Sequence, residues 1–302
     1  MSREERQLQL NEFLVKDIVS QRIPFQFDVH CFAGDVEYTR VPVVITLQGE
    51  SLTRFQQRRS KDSIALEVHC YLLSEDNIPV DHFLDKLVFD TPELIRQLSD
   101  RGVKYYGLLL AEPGRYKIKC ILRDDELGMI SADIHRVEVP DFNLGELRLS
   151  GPVFLESDKA KKIIINEQSK EPTGRREGKP VSYPFVFGTG RWVPAVNPEV
   201  GFSTAQLLFV RIHGLQTDPV VKEPVIDLGL EIIDESGGAA PFSSWAVIDQ
   251  SENESYYDLI FRVDLNEVEL EPGQYRLRFK LADRTSGSSA AADAPFVVQG
   301  ER

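Results

Sequence analysis

From Tyr116 onward the chain alternates with a period of two. Tyr116, Ile118, Cys120 and Leu122 share one parity, and Lys117, Lys119 and Arg123 the other. That period puts successive side chains on opposite faces of an extended backbone, so it predicts a strand with one face in a core and one in water. Tyr275, Leu277, Phe279 and Leu281, set against Arg276, Arg278 and Lys280, predict the same element later in the chain. Asp124 to Gly128 and Asp283 to Gly287 then supply turn residues ahead of a returning strand.

These two hairpins are copies. Glu112-Pro113-Gly114-Arg115-Tyr116 is matched by Glu271-Pro272-Gly273-Gln274-Tyr275, and the offset of 159 holds without a gap to Val137-Glu138-Val139 and Phe296-Val297-Val298. Upstream, at a spacing of 160, Leu66, Val68, Cys70 and Leu72 correspond to Ile226, Leu228, Leu230 and Ile232. The acidic turns Ser74-Glu75-Asp76-Asn77 and Asp234-Glu235-Ser236-Gly237 follow. One unit has been used twice.

Further strands are predicted at Pro24 to Phe32, Val41 to Leu47, Phe83 to Phe89 and Val103 to Leu110 in the first copy. In the second they fall at Gln206 to Ile212 and Tyr256 to Val263, with a weaker candidate at Lys161 to Ile165. Many short strands with polar turns give an all-β class, two tandem immunoglobulin/fibronectin-III-like β-sandwich domains. A short connecting helix is expected in the first, where Thr91-Pro92-Glu93 caps Leu94, Ile95 and Leu98 and Gly102 ends the segment. The predicted organisation is a helical or extended lead-in over 1–21, a first sandwich over 22–150 and a second over 151–302. The boundary is set near Gly151, and a Lys-, Glu-, Gly- and Pro-rich exposed loop at about 156–180 follows it.

Charge narrows the partners. The chain has 302 residues, 35 basic against 48 acidic, and a formal charge of -13, which repels phosphate backbones and argues against nucleic acid. No run of roughly 18 apolar residues is present, so no membrane span is expected. The charged start, Met1-Ser2-Arg3-Glu4-Glu5-Arg6, has no apolar secretion segment after it, which leaves a cytoplasmic protein or the mature part of an exported one.

Little in the sequence promises chemistry. Cys31, Cys70 and Cys120 lack C-x-x-C spacing. Cys70 and Cys120 fall on inward parity, where an inter-sheet disulfide would fit a sandwich; buried free thiols are the expected state, since free cysteine behaves as a small hydrophobe. His30, His69, His82, His135 and His213 form no metal-binding pair, and His30 and His69 read as a cross-strand surface pair. No nucleophile elbow, P-loop or dinucleotide fingerprint is present, so no catalytic, cofactor or metal residue is assigned. Two sets of residues stand out. Gly114 with Tyr116, and Gly273 with Tyr275, read as structural corners in which a tyrosine buries its ring and bonds local backbone. Tyr183, Phe185, Phe187 and Trp192, with Phe242 and Trp245, form an aromatic group that is either an exposed contact for protein or carbohydrate or a cap on the second sandwich.

With these residues in hand, the chain resembles the region that follows the von Willebrand factor A-like domain in a group of bacterial proteins of acidobacterial type. Ser20-Gln21-Arg22-Ile23-Pro24 leading to Val29, Leu47-Gln48-Gly49-Glu50-Ser51-Leu52, and Glu112 to Tyr116 running on to Pro140-Asp141-Phe142 carry the resemblance in the first copy. Phe185-Val186-Phe187-Gly188 with Val193-Pro194 carries it in the second. It implies extracytoplasmic β-sandwich modules. The A-like domain is absent from this sequence, so its Asp-x-Ser-x-Ser metal site is not carried over. The functional expectation is a non-catalytic binding or architectural module for protein contacts at the bacterial cell envelope, with an accessory carbohydrate-binding module as the alternative.

Overall fold

A computed structural model describes residues 3–34, 38–57, 63–90, 93, 95, 96, 98, 102–124, 126–157, 162–165, 185–187, 190–196, 198–200, 205–253 and 256–299. The chain divides into two compact units, Met1–Asp141 with Asp158–Pro184, and Phe142–Ser157 with Phe185–Arg302. Each is an all-β sandwich.

The first unit opens with helix α1 (Arg3–Val15) and strands β1 (Gln26–Val29), β2 (Phe32–Ala33) and β3 (Thr39–Leu47), followed by helix α2 (Gly49–Gln57). Strands β4 (Ile64–Leu73), β5 (Pro79–Phe89), β6 (Val103–Ala111), β7 (Gly114–Asp124) and β8 (Met129–Val139) complete its main body. Strand β9 (Arg148–Ser157) belongs to the second unit, and β10 (Lys162–Ile165) to the first. One sheet has the order β1-β3-β6-β10, with β2 beside β3, and the other β5-β4-β7-β8. Consecutive strands β3 and β4 thus lie in different sheets, the crossing expected of immunoglobulin- and fibronectin-III-like sandwiches.

Parity fills the interior between them. Val41, Val43, Ile45, Tyr105 and Leu109 from one sheet meet Leu66, Val68, Cys70, Ile118, Cys120 and Leu122 from the other. The ring of Phe83 on β5 sits against Gly107 on β6, where an added Cβ would fall 2.2 Å from a ring carbon. Only glycine admits that approach. The predicted connecting helix is present at Glu93, Ile95, Arg96 and Leu98, and Ile95 and Leu98 are buried in this same core.

The lead-in is helical. Helix α1 lays Leu10, Phe13 and Leu14 over Tyr71, Ile121, Ile130 and Ala132 on the outer face of the β5-β4-β7-β8 sheet. Lys119, predicted to face water, is fully buried beneath its end. The Lys119 ammonium donates to the carbonyls of Phe13, Leu14 and Lys16 at 2.9–3.0 Å and to Asp17 Oδ1 at 3.3 Å. A cation there satisfies orphan carbonyls and complements the helix dipole.

The second unit continues with β11 (Val186–Phe187), β12 (Gly190–Pro194), β13 (Glu199–Val200), β14 (Gln206–His213), β15 (Ile226–Ile233), β16 (Ala239–Phe242), β17 (Trp245–Asn253), β18 (Tyr256–Val263), β19 (Gly273–Asp283) and β20 (Ser289–Val298). Its sheets run β11-β12-β9-β14-β18-β17 and β13-β20-β19-β15-β16. Leu208, Val210, Ile212, Leu259 and Phe261 pack on Leu230, Ile232, Leu277, Phe279 and Leu281.

The duplication extends to hydrogen bonds. Ser74 N donates to Ile78 O and Asn77 N to Ser74 O; Asp234 N donates to Gly238 O and Gly237 N to Asp234 O, 160 residues on. Asn77 and Gly237 occupy the same left-handed backbone region, φ 61° and 87°. Asp124 Oδ1 accepts from Glu126 N and Leu127 N, and Asp283 Oδ1 from Thr285 N and Ser286 N.

Three sequence expectations are corrected. The predicted boundary at Gly151 lies inside β9, and the two units divide at Asp141 and Phe142. Gly151-Pro152 marks the place where the β9–β14 register shifts, with Gly151 at φ 97° and no room for a Cβ against Phe209 O. Glycine and proline inside a strand signal a bulge as readily as a break. The weak strand at Lys161 to Ile165, assigned to the second domain, pairs parallel with β6 in the first unit. The remainder of the predicted loop at 156–180 lies outside the described residues, apart from Glu156 and Ser157 in β9. His30 follows β1 in one sheet and His69 lies on β4 in the other, so they form no cross-strand pair.

Candidate functional site

Of the aromatic group predicted in the second unit, Phe185 and Phe242 are buried. Phe185 is fully buried, edge-on to Phe209 with ring centroids 5.7 Å apart. Phe242 is buried in the main cluster. Trp245 is half-buried against that cluster, edge-on to Phe261, and its Nε1–H donates to Phe242 O at 3.1 Å. Trp192 is half-buried on β12. Phe187 lies on β11 with its side chain outside the described set, and Tyr183 is outside the described residues. An exposed platform is therefore not supplied by Phe185 or Phe242. Both rings seal hydrocarbon, which corrects the expectation of a contact surface at these two positions.

The corner residues sit where the repeat puts them. Tyr275 stacks on Phe296 at 5.6 Å and its hydroxyl donates to Glu271 O at 2.9 Å, closing a tyrosine corner at the third residue of β19, two after Gly273. Tyr116 packs against the first core beside Gly114, with its ring 3.4 Å from the position of an added Cβ. Cys70 and Cys120 are free, buried and directly opposed on β4 and β7 with Sγ atoms 3.0 Å apart. They are neighbours within one sheet, which corrects the expected inter-sheet geometry.

A surface that the sequence reading did not single out lies on β5. Its inward parity carries Phe83, Leu87 and Phe89 into the core, while Val80, Leu84 and Val88 on the outward parity stay 49%, 42% and 51% exposed. Ile78, just before the strand, is 62% exposed. Helix α1 covers β7, β8 and Tyr71 of β4 but none of these. At about 3.3 Å per residue the column runs about 26 Å. His82, stacked on Tyr71 at 5.7 Å, and exposed Lys86 fill the gaps within it. Single exposed aliphatics are ordinary, whereas an aligned series on one strand face is the kind of patch that marks an interaction surface.

The edge beside that face is blocked to strand pairing at two positions. The backbone N–H of His82 is taken by Asp81 Oδ1 at 2.8 Å, and that of Lys86 by Asp85 Oδ1 at 2.7 Å. The second oxygens reach across to β6, accepting from Leu110 N at 2.8 Å and from the Tyr105 hydroxyl at 3.1 Å. Burial pushes the Asp81 carboxyl above its ordinary range, against the opposing pull of the Leu110 and His82 N–H groups. The same device recurs on the outer strands β1 and β8, where Asp28 takes Val29 N and Asp133 takes Ile134 N. Inward-turned acids on edge strands suppress edge-to-edge pairing.

Two polar features complete the inventory. In the second unit Arg211 grips buried Asp258 through two hydrogen bonds of 2.6 and 2.8 Å and lies 3.8 Å over the Tyr256 ring. Beside it His213 Nε2 is 3.2 Å from Ser150 Oγ. Ser150 and His213 are both almost fully buried, with Phe142 against the imidazole, so the hydroxyl meets no open space where a substrate would sit. In the first unit a shallow depression of about 330 Å³ is lined by Glu75, Arg115, Tyr116, Lys117, Arg136, Val137 and Glu138. Its charges are mixed in sign, and Lys117 is already held by Asp17 and Asn77. Among the described residues no group of three His, Cys, Asp or Glu side chains is placed to hold a metal, and no helix is long and apolar enough to cross a membrane.

No protein-family model matches the chain, and no curated protein matches it.

Proposed function

We propose that this protein is a non-catalytic binding module that engages a protein partner through the outer face of β5, and that it works outside the cytoplasm. The observation that carries the reading is the series Val80, Leu84 and Val88, left open on an eleven-residue strand whose only register shift against β4 falls at Val80. The corresponding strand of the second unit, β16, has four residues, and one of them is Pro241. The fold therefore does not require a long apolar-faced strand at this place.

Partner docking here is face-on. Strand addition would need the N–H groups of His82 and Lys86, and these are already bonded to Asp81 and Asp85. A flat apolar stripe interrupted by two basic groups suits a surface with hydrophobic anchors flanked by carboxylates. Non-catalytic action is supported by the burial of Ser150 and His213 and by the use of the Asp258 carboxylate in an ion pair. The extracytoplasmic setting rests on the resemblance to sandwich modules accompanying von Willebrand factor A-like domains.

The reading is tested with immobilised wild-type protein and the variant Leu84→Arg/Val88→Arg, whose side chains are on the surface and whose fold circular dichroism verifies. The proteins retained from an envelope extract of the native host are then quantified. A partner held by the wild type and lost by the variant is the expected result. An identical set on both supports, or turnover of an offered substrate, overturns the reading.

A further inference from the structure

Cys70 and Cys120 are register partners across the antiparallel pair β4–β7. The equivalent register in the second unit joins Leu230 to Phe279 across β15–β19. Hydrocarbon thus fills this position perfectly well in one copy, and both thiols of the other copy stand at a single cross-strand pair. Packing alone asks for neither cysteine. Directly opposed residues on antiparallel strands have Cα atoms about 4.5–5.5 Å apart, inside the range a disulfide spans. The Sγ atoms, 3.0 Å apart and wholly buried, already face each other.

We propose that Cys70 and Cys120 form a modification site, a cross-strand disulfide made while the chain folds in the presence of a small-molecule or protein disulfide and then sealed in the core. One thiolate attacks the external disulfide, forming a mixed disulfide and expelling one thiolate. The second cysteine then attacks the sulfur of the first, the Sγ–Sγ bond forms, and the other external sulfur leaves. The chain loses two electrons and two protons, and the external disulfide becomes two thiols. Timing follows from burial, which raises the Cys120 thiol well above its ordinary range and leaves little thiolate once the core has closed. Cys31 is likewise raised by burial, to about 12, and stands in the other half of the sandwich, following β1.

The experiment refolds the fully reduced chain from guanidinium, once with a mixture of oxidised and reduced glutathione and once with reductant alone. Thiols are then counted in denaturant and the peptides mapped. Oxidative folding is expected to leave one thiol of the three, to link the peptides of Cys70 and Cys120, and to raise the melting midpoint by about 5–10 °C. Native reduced protein given the same oxidant keeps all three thiols. The variant Cys70→Leu/Cys120→Phe, which installs the pair of the second unit, melts at one temperature under both conditions. Should it not fold, Cys70→Ala must lose the oxidant-dependent shift in its place. Three thiols after oxidative folding, a bridge through Cys31, or an unmoved midpoint overturns the proposal.

Discussion

Asp283 shows how a single carboxylate organises a turn. Burial works to raise its pKa, but hydrogen bonds from the Ser286 hydroxyl and the Gln216, Thr285 and Ser286 N–H groups outweigh burial and hold it below the ordinary value of 3.8. Because folding lowers this pKa, its stabilisation is complete above the ordinary carboxylate range and is lost as the pH falls through the lower folded value. Asp283→Ala is expected to cost about 1.5–3 kcal/mol at neutral pH. The deficit should shrink as acid unfolding curves approach pH 3, and a constant deficit down to that pH would refute the assignment. Arg211 carries a larger burden. Arg211→Met strands the buried Asp258 carboxylate and is expected to cost about 3–5 kcal/mol in chemical denaturation, whereas Arg211→Met/Asp258→Leu should recover most of that. Equal losses in both variants would show that the pair's attraction is not what matters. Neither residue was legible as a partner of the other, since Arg211 and Asp258 sit at polar parity, where the pattern predicts water.

At the scale of the element, legibility followed exposure. Strand β19 was read correctly because water on its outer face imposes Arg276, Arg278 and Lys280 at every second position. Strand β7 was placed correctly, but its outer face, with Lys119 and Ile121, is buried under helix α1. In β3, β6 and β14 both parities are mostly buried, so Val41 to Leu47 and Gln206 to Ile212 read as continuous apolar runs whose faces cannot be told apart. Strand β9 was missed because Gly151-Pro152 looks like a break. Ile121 and Tyr71, apolar at outward parity, were the trace on the sheet side of the docked helix α1, beside the apolar Leu10, Phe13 and Leu14 of the lead-in itself. The candidate surface left a similar trace: Leu84 and Val88 are apolar between Phe83, Leu87 and Phe89, so β5 carries hydrocarbon on both faces without a second core to receive it. The edge aspartates lead to a prediction at this scale. Asp85→Ala frees the Lys86 N–H for pairing, and the weight-average mass in sedimentation should rise with concentration above that of the wild type. Superimposable sedimentation profiles would remove Asp85 from this protective role.

For the molecule as a whole, the repeat in the sequence translated into two sandwiches with matching turns, matching inner pairs and the same hydrogen-bond pattern 160 residues apart. What separates the copies is the surface each leaves open. The second uses Phe185, Phe242 and Trp245 to close its own interior and has a short fifth-strand equivalent with a proline. The first keeps a long strand whose edge is blocked at His82 and Lys86 and whose face is open. A photo-crosslinking amino acid placed at Leu84, and for comparison at Val220 on an exposed loop of the second unit, tests this asymmetry most directly in the native host. The account predicts a discrete adduct with one protein from position 84 and none from position 220. Adducts from position 220 with none from position 84 would contradict it.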